Sequence, residues 1–199
     1  TAGNLINRGG LIESNTTLNL HGGSLDNTSG RLRALGNNVG TNSTSTFGLD
    51  GSLINQGGRI EIGSTDFALK ADALNNRTGS IEHAGTGLLS LDFNRVSGAG
   101  GSISALGNGD WHFGTVDGLG VVQLNNALTY TSDSLALLAG DRLASGAGLT
   151  LNLRNLDNGG ELLSDGDLAL NLTGDLNNSG RLSAQNLLTI QAANVTQNG

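Results

Sequence analysis

A phrase of eight residues recurs along this chain and constrains its fold more than any other feature. The pattern Leu-x-Asn-x-Gly-Gly-x-Ile is complete in two copies and shortened or varied in the others. The copies lie at residues 5–12, 25–32, 53–60, 74–81, 156–162 and 176–182. The last glycine of each copy, with the best-phased glycine between copies, gives the markers Gly10, Gly30, Gly58, Gly79, Gly101, Gly120, Gly140, Gly160 and Gly180. A repeat of about 20 residues is typical of a solenoid, in which successive coils stack to bury one continuous core.

The residues after each marker glycine alternate between apolar and polar. Ile60 and Ile62 flank Glu61, and the other copies have Ile, Leu, Val, Ala, Ser or, at His83, histidine in the flanking positions. Alternation with period two predicts a strand with one buried face. The coil after Gly140 departs from the pattern, because Arg142 stands in the first apolar place and Leu143 follows it.

Two further strands are predicted in each coil, one after a short polar turn and a shorter one inside the repeated phrase itself. Helical periodicity is absent, so the sequence predicts an all-β fold. The expected architecture is a right-handed parallel β-helix of nine to ten coils with three short strands per coil, the handedness following the general preference of parallel connections. Trp111 and Phe113 fall in the second strand and are assigned to the core, with a sugar-stacking surface as the alternative. His83 occupies an inward place, and we favour a one-residue slip that puts Ala84 inside instead.

The interval between Gly30 and Gly58 is longer than the others because it contains a polar insertion at residues 37–46. Eight residues exceed the standard coil, and removing them leaves the second strand in phase, which predicts a surface loop. Loops on rigid scaffolds often carry recognition, although longer polar loops are also tolerated as neutral insertions. The composition favours the neutral interpretation. The candidate partner contacts are Asn37, Asn38, Thr41, Asn42 and Thr44.

The whole chain, residues 1–199, is interpreted as one β-helical domain. The coils at about 105–145 are divergent, because the repeated Asn is lost there. The repeat runs to both ends without a polar capping element, and solenoids need caps, so we expect the chain to be a fragment of a longer one.

The repeated asparagines are predicted to be structural. They are Asn7, Asn27, Asn55, Asn76, Asn158 and Asn178. A side-chain amide at the same place in every coil can bond its neighbour one coil away and form an Asn ladder. Recurrence in each coil suits architecture better than a single catalytic or binding site.

Composition excludes several function classes. The formal charge is −7 and the basic residues are scattered, so the basic stripe that nucleic acid requires is missing. There is no cysteine, and His21, His83 and His112 fall in different coils, so neither a metal site nor a cofactor is predicted. Asp165 and Asp167, two apart beside a glycine, are interpreted as a turn rather than a calcium loop. Acidic residues are dispersed among the coils, which predicts no catalytic site, and no apolar run reaches the roughly 18 residues of a membrane-spanning helix.

The copies near the C-terminal end resemble a known family. Leu-Asp-Asn-Gly-Gly-Glu-Leu-Leu-Ser at 156–164, Leu-Asn-Asn-Ser-Gly-Arg-Leu-Ser-Ala at 176–184 and Gly-Asp-Leu-Ala-Leu-Asn-Leu at 166–172 are similar to the filamentous haemagglutinin repeats of bacterial two-partner secretion exoproteins. The resemblance is clearest over residues 1–95 and 150–199. In that family such repeats build long stalks on Gram-negative cell surfaces, in adhesins and in filaments that deliver contact-dependent growth-inhibition toxins.

The resemblance implies a non-enzymatic stalk segment that is secreted through a dedicated outer-membrane pore and stays at the cell surface. It further implies a receptor on a host cell or a neighbouring bacterium as a partner. The alternative interpretation is a carbohydrate- or receptor-binding β-helix module, with a polysaccharide-active enzyme as a weaker version of that alternative.

Overall fold

The computed structural model describes residues 3–37 and 42–198, and these residues form strands and turns with no helix. The strands are β1 Leu5–Ile6, β2 Leu11–Ser14, β3 Asn19–Gly22, β4 Leu25–Asp26, β5 Arg31–Ala34, β6 Thr44–Leu49, β7 Ser52–Ile54, β8 Arg59–Ile62, β9 Asp66–Asn75, β10 Ser80–His83, β11 Leu88–Ser97, β12 Ser102–Ala105, β13 Asn108–Asp117, β14 Val121–Leu124, β15 Leu128–Thr131, β16 Ser134–Leu137, β17 Arg142–Ser145, β18 Gly148–Leu153, β19 Asn155–Asn158, β20 Glu161–Ser164, β21 Asp167–Leu172, β22 Asp175–Asn178, β23 Arg181–Ala184, β24 Leu188–Gln191 and β25 Asn194–Gln197.

The strands pair in parallel into two long sheets and one short sheet. Sheet I has nine strands in the order β2-β5-β8-β10-β12-β14-β17-β20-β23, one from each coil. Sheet II has twelve strands in the order β1-β4-β7-β9-β11-β13-β15-β18-β21-β24, with β6 between β3 and β9. Sheet III has four strands in the order β16-β19-β22-β25. The predicted parallel β-helix with coils of about 20 residues is therefore confirmed, with nine strands in sheet I marking nine coils.

Three coils contain longer strands than the sequence predicts. In β9, β11 and β13 the second strand of one coil runs without a break into the short strand that opens the next, giving ten residues each. The pairing continues across the corner, as in Arg95 with Ala73 and Thr115. Elsewhere a turn residue interrupts the strand at this corner, as Gly23 and Gly174 do.

The core consists of columns of apolar side chains that repeat from coil to coil. Ile60 pairs with Leu32 on one side and with Ile81 on the other, and all three are at most 1% exposed. Burying each such side chain contributes about 1.5–3 kcal/mol. The shift in the coil after Gly140 keeps the column intact, because Leu143 pairs with Val122 and Arg142 points outward beside Val121. Trp111 and Phe113 are buried, which confirms their assignment to the core.

His83 also points into the core, so the prediction of a slip towards Ala84 is wrong. β10 pairs with β8 in register, with Ile81 beside Ile60 and His83 beside Ile62. His83 is 1% exposed and Ala84 lies on the surface. A slip would move Ile81 out of the apolar column, and keeping that contact outweighs the cost of enclosing an imidazole that retains a hydrogen bond.

Candidate functional site: the amide file and the outer faces

The repeated asparagines form a hydrogen-bonded file along one corner of the solenoid. Asn7 donates from Nδ2 to Oδ1 of Asn27 at 2.8 Å, Asn27 donates to Asn55 at 2.7 Å, and Asn55 donates to Asn76 at 2.8 Å. Asn158 donates in the same way to Asn178 at 2.6 Å. All six predicted asparagines are at most 7% exposed. We name this set the amide file, and its direction is constant, each Nδ2 facing the coil that follows.

Each amide in the file also donates to a backbone carbonyl. Asn55 donates to the carbonyl of Ser80 at 3.1 Å, and Asn76 donates to that of Ser102 at 3.1 Å. The turn glycine allows this packing, because a Cβ at Gly79 would lie 2.0 Å from the carbonyl oxygen of Asn55. The amides are neutral, enclosed and hydrogen-bonded to the protein itself, so the chemistry available to them is to link coils.

The amide file stops in coils 5 to 7, where Gly98, Gly118 and Leu137 take the place of Asn. Backbone atoms approach directly there, with the Gly98 N–H donating to the Gly118 carbonyl at 2.8 Å. Gly118 and Leu137 lie within the divergent stretch predicted at about 105–145. Gly98 lies before it, so the loss of Asn begins one coil earlier than predicted from the sequence.

A buried carboxylate that sequence reasoning missed occupies this interrupted corner. Asp141 is 6% exposed and accepts backbone hydrogen bonds from Leu119 at 3.1 Å, Gly120 at 2.9 Å and Leu138 at 3.1 Å. We name this arrangement the Asp141 clamp. The signal available in the sequence was an acidic residue directly after the marker Gly140, in a coil that lacks the repeated Asn.

The polar insertion lies between β5 and β6. Paired strands place Ser14 beside Ala34 and Asn19 beside Thr46, so this connection has seven residues more than its counterpart in coil 1, and the eighth extra residue lies at the next corner. Asn37 donates to the side chain of exposed Asn15 at 2.8 Å, and Asn42 is exposed. Asn38 and Thr41 lie outside the described residues. Thr44 begins β6 and is exposed, so the C-terminal part of the insertion is strand rather than loop.

Ser45 inside this stretch is wholly buried. Its Oγ accepts a hydrogen bond from the Leu18 N–H at 3.1 Å and forms a hydrogen bond with the Ser64 hydroxyl at 2.9 Å. Ser45 is therefore part of the rod rather than of a surface loop, because its hydroxyl satisfies a backbone donor in the preceding coil.

The outer face of sheet I carries the densest group of charges in the described chain. The Glu61 carboxylate lies 2.5 Å from Arg31, 3.9 Å from Arg33 and 4.0 Å from Arg59. Arg33 also pairs with Glu13 at 3.0 Å. The Glu61 oxygens therefore face guanidinium groups of the protein itself. Exposed ion pairs of this kind contribute about 0–1 kcal/mol each.

Hydrogen bonding perturbs one carboxyl group at the N-terminal end. The Thr28 hydroxyl donates to Asp26 at 2.7 Å and Arg8 donates to the other oxygen at 2.6 Å. Together with the Thr28 N–H, these bonds lower the pKa of Asp26 to about 2. Such a group is an ionised structural anchor for the turn that follows it.

A lateral groove of 430 Å³ lies at the corner where the ten-residue strands bend. Its apolar wall includes Ile54, Ala73 and Val116, and its polar wall includes Asn75 and Ser97. Arg95 at its edge is paired with Asp72. The groove crosses several coils and offers amide and hydroxyl groups to an elongated ligand.

Aromatic rings and metal ligands add no further site among the described residues. All six aromatic side chains of the chain are buried, so none presents a stacking surface to a sugar ring. No group of three His, Asp or Glu side chains in the described ranges comes together as a metal-binding set. Nor does the described chain contain a helix that is long and apolar enough to cross a membrane.

Comparisons with protein-family models, with curated proteins and with solved structures gave no match to this chain.

Proposed function

We propose that this chain is a non-enzymatic stalk segment of a secreted, filamentous bacterial exoprotein of the two-partner secretion type, which presents adhesive or toxin-delivery domains to other cells. The observation that supports this proposal most directly is the unbroken stacking of nine coils on parallel sheets. Each coil adds one strand spacing of about 4.8 Å, so the coils form a rod roughly 40 Å long. A rod that grows by a fixed increment per coil is suited to holding other domains away from a surface.

The resemblance of the repeats at 156–164 and 176–184 to filamentous haemagglutinin repeats supports the location. On this proposal the chain passes through an outer-membrane pore of the two-partner type and stays associated with the bacterial surface. Its further partner is a receptor on a host cell or on a neighbouring bacterium, contacted by domains that the rod carries.

The stalk role is tested by measuring a distance along the rod. The chain has no cysteine, so Thr46→Cys and Thr189→Cys introduce two unique labelling positions on the outer face of sheet II, seven coils apart. Spin labels there should give one narrow distance of about 34 Å, and deletion of residues 160–179 should shorten it by about 5 Å. A broad distance distribution, or a distance that the deletion leaves unchanged, would contradict a rigid stalk.

The export step is tested separately. The chain is placed behind the secretion domain of a two-partner exoprotein and expressed with and without the matching pore. We expect the chain to become accessible to external protease only when the pore is present, with a periplasmic reporter as the control for leakage. Retention in the periplasm in both cases would contradict the proposed secretion route.

The lateral groove favours a second candidate, a receptor-binding module that takes an elongated carbohydrate. Amides and hydroxyls at the groove match the hydrogen-bonding groups of sugars. On this candidate, Ala73→Arg in the groove should abolish binding on a glycan array. Ala68→Arg, on the same strand but outside the groove, should preserve binding. Equal glycan binding by the two variants would show that the groove is not the binding site.

A further inference from the structure

A buried polar corner lies between sheets I and II in coils 2 to 4. It consists of Ser45, Ser64 and His83, which are 0%, 0% and 1% exposed, and we name it the Ser-His corner. The Ser64 hydroxyl lies within hydrogen-bond distance of the Ser45 hydroxyl and of the Asp66 carbonyl oxygen, 2.9 Å from each, and Nε2 of His83 lies 3.0 Å from the Ser64 carbonyl oxygen. The corner therefore links three successive coils through polar groups that are shielded from water.

The hydrogen bond to Ser64 defines the protonation state of the imidazole. A carbonyl oxygen only accepts hydrogen bonds, so Nε2 of His83 carries the proton and Nδ1 is the unprotonated nitrogen. Nδ1 is buried and has no hydrogen-bond partner in the described chain. The ring is held close to the backbone because residue 85 is glycine: a Cβ on Gly85 would lie 1.8 Å from the Ser64 oxygen and 2.6 Å from Nε2.

Few charges face this imidazole. On the neighbouring strands β8 and β12, the residues beside His83 are Ile62 and Ala105, which are not titratable. Glu61 and Glu82 alternate with the inward residues and lie on the outer face of sheet I. Lys70 likewise lies on the outer face of sheet II, and it pairs with Asp92 there. The Phe67 ring centre is 6.2 Å from the His83 ring centre.

Asp66 at the start of β9 is the charged group that acts on His83. Its carboxylate accepts a hydrogen bond from the Leu88 N–H at 2.7 Å. Burial lowers the pKa of His83 below its ordinary value of 6.5, and this effect exceeds the opposing effects of the Ser64 backbone, of Asp66 and of the Thr65 backbone.

We propose that the Ser-His corner is an acid-sensitive joint: when Nδ1 of His83 takes up a proton, the corner opens locally while the distant coils stay folded. A proton on Nδ1 places a charge and a donor without an acceptor inside an apolar core, and opening gives both to water. Opening remains local because each coil of a solenoid contacts only its neighbours.

The direction of the pH dependence follows from linkage. The open form binds the proton more tightly than the closed form, so the stability of the corner is fully present above about pH 6.5 and is lost as the pH falls below it. Over that range the equilibrium constant for opening should rise about tenfold per pH unit, since one proton is taken up.

Native-state hydrogen exchange between pH 7.5 and 5.5 tests the joint. The reporters are the amides of Ala84 and Leu106, which bond to the carbonyls of Ile62 and His83. After correction for intrinsic exchange, their protection should fall about tenfold as the pH decreases, while that of Thr173 in the distant coils should not change. His83→Leu should remove the dependence, because Leu suits the column that contains Ile62. The matched control His112→Gln, at an exposed position, should keep it.

Two results would overturn the proposal: protection at Ala84 that is independent of pH, or a dependence that persists in His83→Leu. If His83→Leu does not fold, histidine NMR spectra of the unmutated protein decide. A His83 ring that stays neutral at pH 6 in the closed form supports the joint. A ring that becomes charged without loss of protection refutes it.

Discussion

The same corner of the solenoid is built in two ways. In coils 1 to 4 the amide file fills it, whereas in coils 5 to 7 Gly98, Gly118 and Leu137 replace the amides. In the first region side chains link the coils through hydrogen bonds of 2.7–2.8 Å between asparagine amides. In the second region the backbone segments approach each other, and the Asp141 clamp takes three N–H groups that would otherwise lack partners.

This difference shows that the corner requires satisfied backbone groups rather than asparagine as such. A buried N–H or carbonyl without a partner costs about as much as a lost hydrogen bond, whatever residue supplies the partner. An amide suits a repeat because it both donates and accepts, and one residue type can therefore propagate along the rod. A carboxylate only accepts, so it can end a file or bridge a gap but cannot continue the file.

The largest expected effect is at a marker glycine of the amide file. Gly79→Ala would place a Cβ 2.0 Å from the Asn55 carbonyl oxygen, 2.9 Å from Oδ1 of Asn76 and 3.0 Å from Nδ2 of Asn55, so a backbone atom and two buried amides would have to move. We expect a loss of more than about 4 kcal/mol in the free energy of unfolding, measured by urea titration.

Two alanine variants serve as comparisons for Gly79→Ala. At Gly148 the nearest atom would be 3.8 Å away, so we expect a change within about 1 kcal/mol. At Gly140 no atom lies within 4 Å, but φ is +95°, so the cost there should be about 1–3 kcal/mol of backbone strain. Equal losses at Gly79 and Gly140 would contradict the claim that contact with the Asn55 carbonyl oxygen is what requires glycine at position 79.

Removing one amide from the file should have the next largest effect. Asn55→Ala leaves the Nδ2 donor of Asn27 and the Oδ1 acceptor of Asn76 buried without their partner. We expect a loss of about 3 kcal/mol by urea unfolding, which is the scale for two unsatisfied buried groups. The control Asn171→Ala removes an exposed bond to Asn152 and should cost about 0.5 kcal/mol. A loss at Asn55 no larger than the loss at Asn171 would mean that the amide file does not stabilise the rod.

A smaller loss is expected at the Asp141 clamp. Asp141→Asn keeps the shape of the side chain but turns an NH₂ group towards at least one of three backbone donors. Loss of a charge-assisted hydrogen bond predicts a cost of about 2 kcal/mol in thermal or urea unfolding. Asp165→Asn, at an exposed aspartate, is the matched control and should be near neutral. If Asp141→Asn is also neutral, direct backbone contact alone holds coils 5 to 7 together.

The smallest effect on stability should come from shortening the insertion between β5 and β6 in coil 2. Deletion of residues 38–42 removes the segment between Asn37 and Ser43, in which Val39 is the one apolar side chain. We expect thermal stability to change by less than about 1 kcal/mol, since loop closure depends weakly on length. A deletion extended through Ser45 should cost more, because it removes the buried hydroxyl that Leu18 and Ser64 contact. Equal effects of the two deletions would contradict this assignment.

Much of the architecture was predictable because the coils stack directly on one another. Residues one repeat apart in the sequence are therefore partners in neighbouring strands. The inward columns, the coil length and the approximate place of the insertion follow from counting between glycines. His83 was misplaced because its polarity suggested a slip, while the pairing of Ile81 with Ile60 in the neighbouring coil holds the strand in phase. The extent of the insertion was overestimated for a related reason, since Thr44 to Thr46 look like loop but pair with β9.

The repeated phrase alone therefore specifies a parallel solenoid, because a residue that recurs in every coil contacts its own equivalent and the local pattern is enough. The Asp141 clamp, the Ser-His corner and the ten-residue strands that form the lateral groove depend instead on contacts that occur once. Each results from one coil meeting the particular residues of the next, such as the Asp141 carboxylate reaching Leu119 and Gly120 from 21 or more positions away. Hydrogen-bond satisfaction and close packing between unlike coils are properties of the folded arrangement, so only the tertiary structure reveals them.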